Sequence, residues 1–457
     1  MLNIERKRAT TAREIAMGAE SMSELDLSGE ELRRHLVDAV GLVVDLYAGI
    51  NTRRVMPEQS VAQIRAMFDE PLPASPTGIP ALLRRVGEDV FDNSTFSPGP
   101  NYYGYINSGG NHAGLIAELL SAAIDQNVAK WNLGPAATEL ELCVIRWVAE
   151  FIGYPATTGG VLVSGGSAAN LTCLKVARDR QGDVQRKGIR NAPQMTMYVS
   201  VEGHSCLDKS ADHLGIGRDH LRKIPVLDDF TINLRELERR IIDDREAGLS
   251  PTCVIGNAGT VNTGAVDPMH ALADLAERHA LWFHVDAAYG GPAARTPLAG
   301  RLFSGIERAD SVGADAHKWL YAPFESGIAF VKEKELLRRS FSVVPDYLRE
   351  HERSERYDAT EYNFQLSRNF KALKLWMAFK TYGSAMLTQN LQLPPQFIFA
   401  KTRKDITRVS ILGNQPQCFA LTGSAYQNRW MRLLHRPRRI EQPLKMVILA
   451  IERLFIA

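Results

Sequence analysis

Between residues 160 and 332 the chain alternates short apolar runs with amphipathic helical patterns, and this alternation leaves few folds open. The runs are VLVS, MYVSV, TCVIG, LWFHVD, DSVGA and GIAFV. Between most of them, as at 167–180, 233–246 and 268–279, apolar residues recur at helical spacing. Strands that are apolar on both faces must be covered on both faces. The pattern therefore predicts an α/β fold with a mostly parallel central sheet between helices. In such sheets ligands bind where the carboxyl ends of strands meet the following loops.

A chain of 457 residues can hold a large core and more than one domain. Its 45% hydrophobic and 23% charged residues are those of an ordinary globular protein. A formal net charge of +2 gives no global pull toward nucleic acid or an acidic membrane surface. The five cysteines (143, 173, 206, 253, 418) are scattered and form no C-x-x-C pair, which argues against a disulfide framework or structural zinc. No stretch approaches the roughly 18 apolar residues of a membrane span, and the first twenty residues lack the apolar run of a signal peptide. The expected compartment is the cytoplasm.

Upstream of the alternating region, SGEE at 28–31 reads as a capping box. It opens an amphipathic helix marked by Leu32, Leu36, Val40, Val43 and Tyr47. Residues 71–111 are rich in Pro, Gly, Asn and Ser, and read as loop with short elements. TELE at 138–141 reads as a second capping box, opening a helix to Ile152 that Gly153, Tyr154 and Pro155 stop.

Four motifs sit at strand ends. SGGSAAN (164–170) follows VLVS and opens a helix. It is either a tight turn or an anion cradle in which helix amides and the Ser167 hydroxyl donate to a phosphate. It is no Walker loop, since no G-K-[ST] follows. His204, in GHSCLDK, follows MYVSV; alone it suits a structural role as well as stacking on a flat aromatic group. Asp286 ends LWFHVD, where a carboxylate needs a charged partner, a hydrogen-bonded network or a protonated pyridine nitrogen. A metal site from His284 and Asp286 would have only two ligands, an incomplete set. Lys318, in ADAHKWLYAPFESG, lies beside Trp319 and Tyr321, and partial burial there favours imine formation. Amine, carboxylate, imidazole and phosphate cradle together read as a pyridoxal 5'-phosphate site.

With these residues the chain resembles the group II pyridoxal phosphate-dependent amino acid decarboxylases, its aromatic branch above all. The similarity runs from about Leu32 to about Thr388, and is carried by HKW (317–319), GHS…DK, the TELE helix and PNYYGYINSGG. The resemblance implies the type I fold of pyridoxal phosphate enzymes. It implies that Lys318 carries the cofactor, Asp286 pairs with the ring nitrogen, Ala288 packs on the ring and His204 stacks opposite. Gly166, Ser167, Asp315 and His317 would surround the phosphate, with Thr260 near the cofactor. The family usually has Asn at the position of Asp315, and an added anion there opposes a phosphate. Tyr347, in VVPDYLRE, matches a tyrosine on a mobile loop that reaches the neighbouring subunit's site, so a homodimer is implied. Tyr105, Ile106 and Trp131 match the substrate pocket.

The implied reaction converts an L-amino acid, aromatic by preference, to the amine and carbon dioxide. Other type I chemistries remain open: aldehyde-forming oxidative deamination, carbon–carbon lysis or transamination. Loss of the loop tyrosine favours aldehyde chemistry in the family, and this chain keeps Tyr347. The expected divisions are an N-terminal helical dimerisation segment (1–95), a large cofactor-binding domain (96–365) and a small C-terminal domain (366–457). Residues 389–457 hold eleven Lys/Arg against three acids, and the strand–helix rhythm fades there. A frameshift or a diverged tail would explain this, and either leaves open an inactive homologue.

Overall fold

The computed structural model describes residues 26–100, 102, 105–297, 299–343 and 356–392. The chain divides into two compact units, residues 1–101 and 102–457.

In the first unit, helix α1 (Gly29–Ala48) starts where SGEE predicts. Ser28 Oγ accepts from Glu31 N at 3.3 Å, and Glu31 Oε2 accepts from Ser28 N at 3.0 Å. This reciprocal pair satisfies two first-turn amides. No residue of α1 is buried: Leu32, Leu36, Val37, Val40 and Val44 all stand exposed. Shorter helical pieces follow at Val61–Met67, Ile79–Arg85 and Val86–Phe91.

The second unit is built on one seven-stranded sheet. In chain order its elements are α2 (His112–Ile124), α3 (Pro135–Phe151), β1 (Gly159–Val163), α4 (Gly166–Asp179) and β2 (Met195–Ser200). Next come α5 (Cys206–His213), β3 (Leu221–Ile224), α6 (Leu234–Glu246), β4 (Ser250–Asn257), α7 (Met269–Arg278) and β5 (Trp282–Ala287). The order closes with β6 (Ser311–Asp315), β7 (Gly327–Val331), α8 (Lys334–Phe341) and α9 (Ala372–Gln392), whose helical geometry breaks at Gly383. The strand order is β1-β7-β6-β5-β4-β2-β3. β7 runs antiparallel to β1 and β6; every other pair is parallel.

Alternate strand residues feed two cores. Phe283, Val285 and Ala287 of β5 face a core shared with α3, α6, α7 and α9. Trp282 of the same strand faces a core shared with α4, α5 and α8. Burial of both faces explains the continuous apolar runs.

Two local expectations are corrected. The TELE box does not cap its helix. Pro135 stands at the first helical position, so α3 starts four residues earlier, and Thr138 is buried inside it. Strand β3, LRKI, was not expected, because Arg222 and Lys223 break its apolar run at the edge of the sheet. Among the described residues, no helix is long and apolar enough to cross a membrane.

Candidate active site

The motifs of β1, β2, β4, β5 and β6 converge at one end of the sheet around a cavity of about 390 Å³. Gly166, Ser167, His204, Thr260, Asp286, Ala288, Asp315, His317 and Lys318 all line it. These nine include every residue expected to contact the cofactor.

One wall is the N-terminus of α4. Gly165 caps the helix, among the described residues no side chain caps its first amides, and Gly166, Ser167 and Ala168 line the cavity. Glycine is required at 166: a Cβ there would lie 2.7 Å from Asp315 Oδ2 and 2.9 Å from Ala288 Cβ. Bare backbone can therefore approach an anion closely.

Asp286 is the penultimate residue of β5 and is 8% exposed. Among the described residues its side chain accepts one hydrogen bond, from Ala288 N at 3.1 Å. A carboxylate so enclosed needs a cation or a donor. His204 follows β2, and its Nδ1 accepts from Cys206 N at 3.1 Å, so in the neutral ring the proton sits on Nε2. The ring stands exposed in the open cavity, yet surrounding protein crowds it enough to push its pKa below the ordinary histidine value. Thr260 is buried after β4, with its hydroxyl 2.7 Å from that of Thr263.

Lys318 lies in a single helical turn, Ala316–Trp319, directly after β6. Its Nζ is 3.1 Å from Asp315 Oδ2, which is also 3.7 Å from His317 Nε2. Among the described residues the other oxygen, Asp315 Oδ1, is buried without a hydrogen-bond partner. His317 is buried, which lowers its pKa; its Nδ1 sits 3.1 Å from both N and O of Ser326, and its ring packs 4.4 Å from Phe324. Ser108 Oγ donates to His317 O at 3.0 Å, tying the 105–110 segment to this turn.

The expected substrate residues are not brought into the cavity lining of one chain. Ile106 is buried, two residues before Ser108. Tyr105 is 66% exposed. Trp131 donates through Nε1 to Glu139 at 2.8 Å and lies beneath Arg356. Tyr347 falls outside the described residues. The sequence reading assigned no role to Asn170, Cys206, Phe324 or Glu325, which line the cavity too. All four lie inside the motifs already quoted, so position within a motif was the available signal. Glu325 pairs with Lys371 at 3.1 Å.

These residues fit pyridoxal phosphate. Helix amides and a glycine cradle suit the phosphate, Asp286 suits a protonated ring nitrogen, and Lys318 supplies the amine. The enclosed Asp315 carboxylate, beside the Gly166 cradle, works against an anion. Fold and site define an enzyme of the type I pyridoxal phosphate fold. The model of the pyridoxal-dependent decarboxylase conserved domain matches residues 61–403, and the chain belongs to that family. It is a pyridoxal phosphate-dependent carboxy-lyase.

The chain is 33% identical over 371 residues to an aromatic-L-amino-acid decarboxylase of Bacillus atrophaeus, spanning 80% of this chain and 76% of that one. It is 32% identical to a phenylacetaldehyde synthase of Petunia hybrida, over 79% and 73% of the two chains. Among solved structures, TDC of Oryza sativa with PLP and tryptamine superposes with a TM-score of 0.75 at 28% identity, covering 81% of this chain and 78% of that one.

Proposed function

We propose that this enzyme converts an L-amino acid, aromatic by preference, to the corresponding amine and carbon dioxide. The observation that carries this reading is the meeting of Lys318, Asp286, His204 and the α4 cradle in one cavity. When bound, pyridoxal phosphate supplies an electron sink for the pair left at the α-carbon as carbon dioxide departs. Asp286 holds the proton at the ring nitrogen that keeps this sink electron-poor. Lys318 presents the attaching amine. His204 and Ala288 enclose the ring from opposite faces, and Gly166, Ser167, His317 and Thr260 complete the cradle. Tyr347 delivers the proton to the α-carbon. Tyr105, Ile106 and Trp131 are the proposed substrate contacts.

The aromatic preference rests on similarity to the Bacillus atrophaeus enzyme. The petunia aldehyde synthase, nearly as similar, favours a second reading in which the same site yields aldehyde. Retention of Tyr347 supports the amine. The test is to incubate the purified protein with pyridoxal phosphate and a panel of L-amino acids. Carbon dioxide with equimolar amine from aromatic substrates is expected. Aldehyde with hydrogen peroxide would replace this reading with the second, and no product from any substrate would leave the inactive-homologue reading.

We also propose a cytoplasmic homodimer with divisions at 95/96 and 365/366. The apolar face of α1 in the first unit stands uncovered. So do Leu115, Ile116, Leu119, Leu120 and Ile124 on α2 in the second. Equilibrium sedimentation at micromolar concentration should show a dimer; monomer alone would contradict it. The tail expected to be abnormal begins at about 388; residues 389–392 continue helix α9, the rest lies outside the described residues, and the family match ends at 403.

A further inference from the structure

A line of polar groups crosses the otherwise apolar core beneath the cavity. Trp282, His284 and Asp286 alternate along β5, so their side chains share the sheet face that packs on α4. His284, Ser311 and Asn170 are each 0% exposed. Trp282 Nε1 donates to Ser311 Oγ at 2.7 Å, and Ser311 Oγ lies 2.9 Å from His284 Nδ1. His284 Nε2 lies 3.1 Å from Asn170 Oδ1, and Asn170 Nδ2 reaches Cys206 Sγ at 3.5 Å.

The donors and acceptors fix the direction of this line. Asn170 Oδ1 can only accept, so His284 Nε2 carries the proton and Nδ1 accepts from the Ser311 hydroxyl. The pattern suits a neutral imidazole, and burial supports that form by pushing the His284 pKa down to about 4. The neighbouring strand is shaped to admit the contact. A Cβ on Gly313 of β6 would lie 2.2 Å from Asn170 Oδ1. A buried polar line in an apolar core is costly unless every group is satisfied, and here each finds a partner.

We propose that His284 is a positioning residue whose bond to Asn170 sets the separation between the two anchors of the cofactor. His284 stands two residues before Asp286, which takes the ring nitrogen. Asn170 stands four residues, about one turn, after Gly166, which opens the phosphate cradle. One hydrogen bond thus locks strand β5 to helix α4 directly below the cavity, whose wall includes Asn170. Without it the helix can slide relative to the strand, and the two ends of the cofactor are no longer held in register. This inference rests on the cofactor reading above.

The test uses the full chain and pyridoxal phosphate itself. Cofactor affinity is measured by fluorescence titration, and ring orientation by visible circular dichroism at saturating cofactor. His284→Phe should weaken binding about tenfold or more, since it leaves Asn170 Oδ1 buried without a donor. It should also change the visible dichroism. Asn170→Ala, which adds no bulk, should reproduce both effects, and the double variant should be no worse than either alone. His284→Gln, which keeps an N–H donor, should recover much of the loss. If His284→Phe does not fold, Asn170→Ala and His284→Gln carry the test. Variants that melt earlier yet bind with unchanged affinity and dichroism would overturn the positioning role. Wild-type protein that takes up no cofactor would instead overturn the cofactor reading.

Discussion

Lys318 Nζ lies 3.1 Å from Asp315 Oδ2, so the amine proposed to attach the cofactor has a carboxylate as its partner. The same carboxylate borders the proposed phosphate cradle at Gly166, and among the described residues its Oδ1 is buried without a donor. Imine formation at Lys318 would replace the ammonium that pairs with Asp315, and a bound cofactor would bring its phosphate near that anion. Asp315→Asn should therefore bind pyridoxal phosphate several-fold more tightly, as measured by fluorescence titration. Weaker binding would show that Asp315 assists the cradle rather than opposing it.

Asp286→Asn should lower turnover by about a hundredfold or more, the scale on which one preorganised electrostatic contact acts. An amide cannot hold a proton on the ring nitrogen. The melting temperature should change little, because among the described residues the carboxylate makes one hydrogen bond, to Ala288 N. Steady-state kinetics beside a thermal melt separate the two effects. Near-normal turnover would remove Asp286 from the reaction.

Tyr347→Phe should retain carbon dioxide release while diverting product from amine to aldehyde. Its phenol is the proposed proton donor to the α-carbon, and a carbanion left unprotonated can meet oxygen. Product analysis by chromatography decides this. Amine alone at the original rate would assign the proton to another group.

Burial holds the His284 imidazole at about 4, against an ordinary 6.5. The unfolded chain therefore takes up a proton in a window where the folded chain refuses it. The stability this residue contributes is complete above pH 6.5 and is lost as pH falls toward 4. The full loss is roughly 3 kcal/mol. Denaturant unfolding at about pH 7 and about pH 4.5 should show a steeper fall for wild type than for His284→Gln. Equal falls would mean that His284 is not held neutral.

The sheet was legible because its strands are buried on both faces, which leaves an apolar run for each central strand. Strand β3 escaped because Arg222 and Lys223, on opposite faces of an edge strand, interrupt its apolar run. The TELE helix start was misplaced because Pro135 supplies a start without any side-chain cap. That Lys318, Asp286, His204 and Gly166 line one cavity could be read because each lies at or just after a recognisable strand end. The pairing of His284 with Asn170 could not. Those residues are 114 apart in the chain, and only the packing of α4 on β5 joins them. The Lys318–Asp315 pair was likewise hidden, since sequence gives the order of two charges but not which way they turn.

The central claim is that Lys318 attaches the cofactor. Borohydride reduction of the protein loaded with pyridoxal phosphate, followed by peptide mapping, tests it directly. The account predicts one stable pyridoxyl label, on Lys318, and its absence with the loss of the visible band in Lys318→Ala. A label on another lysine, or an undiminished visible band in Lys318→Ala, would contradict it.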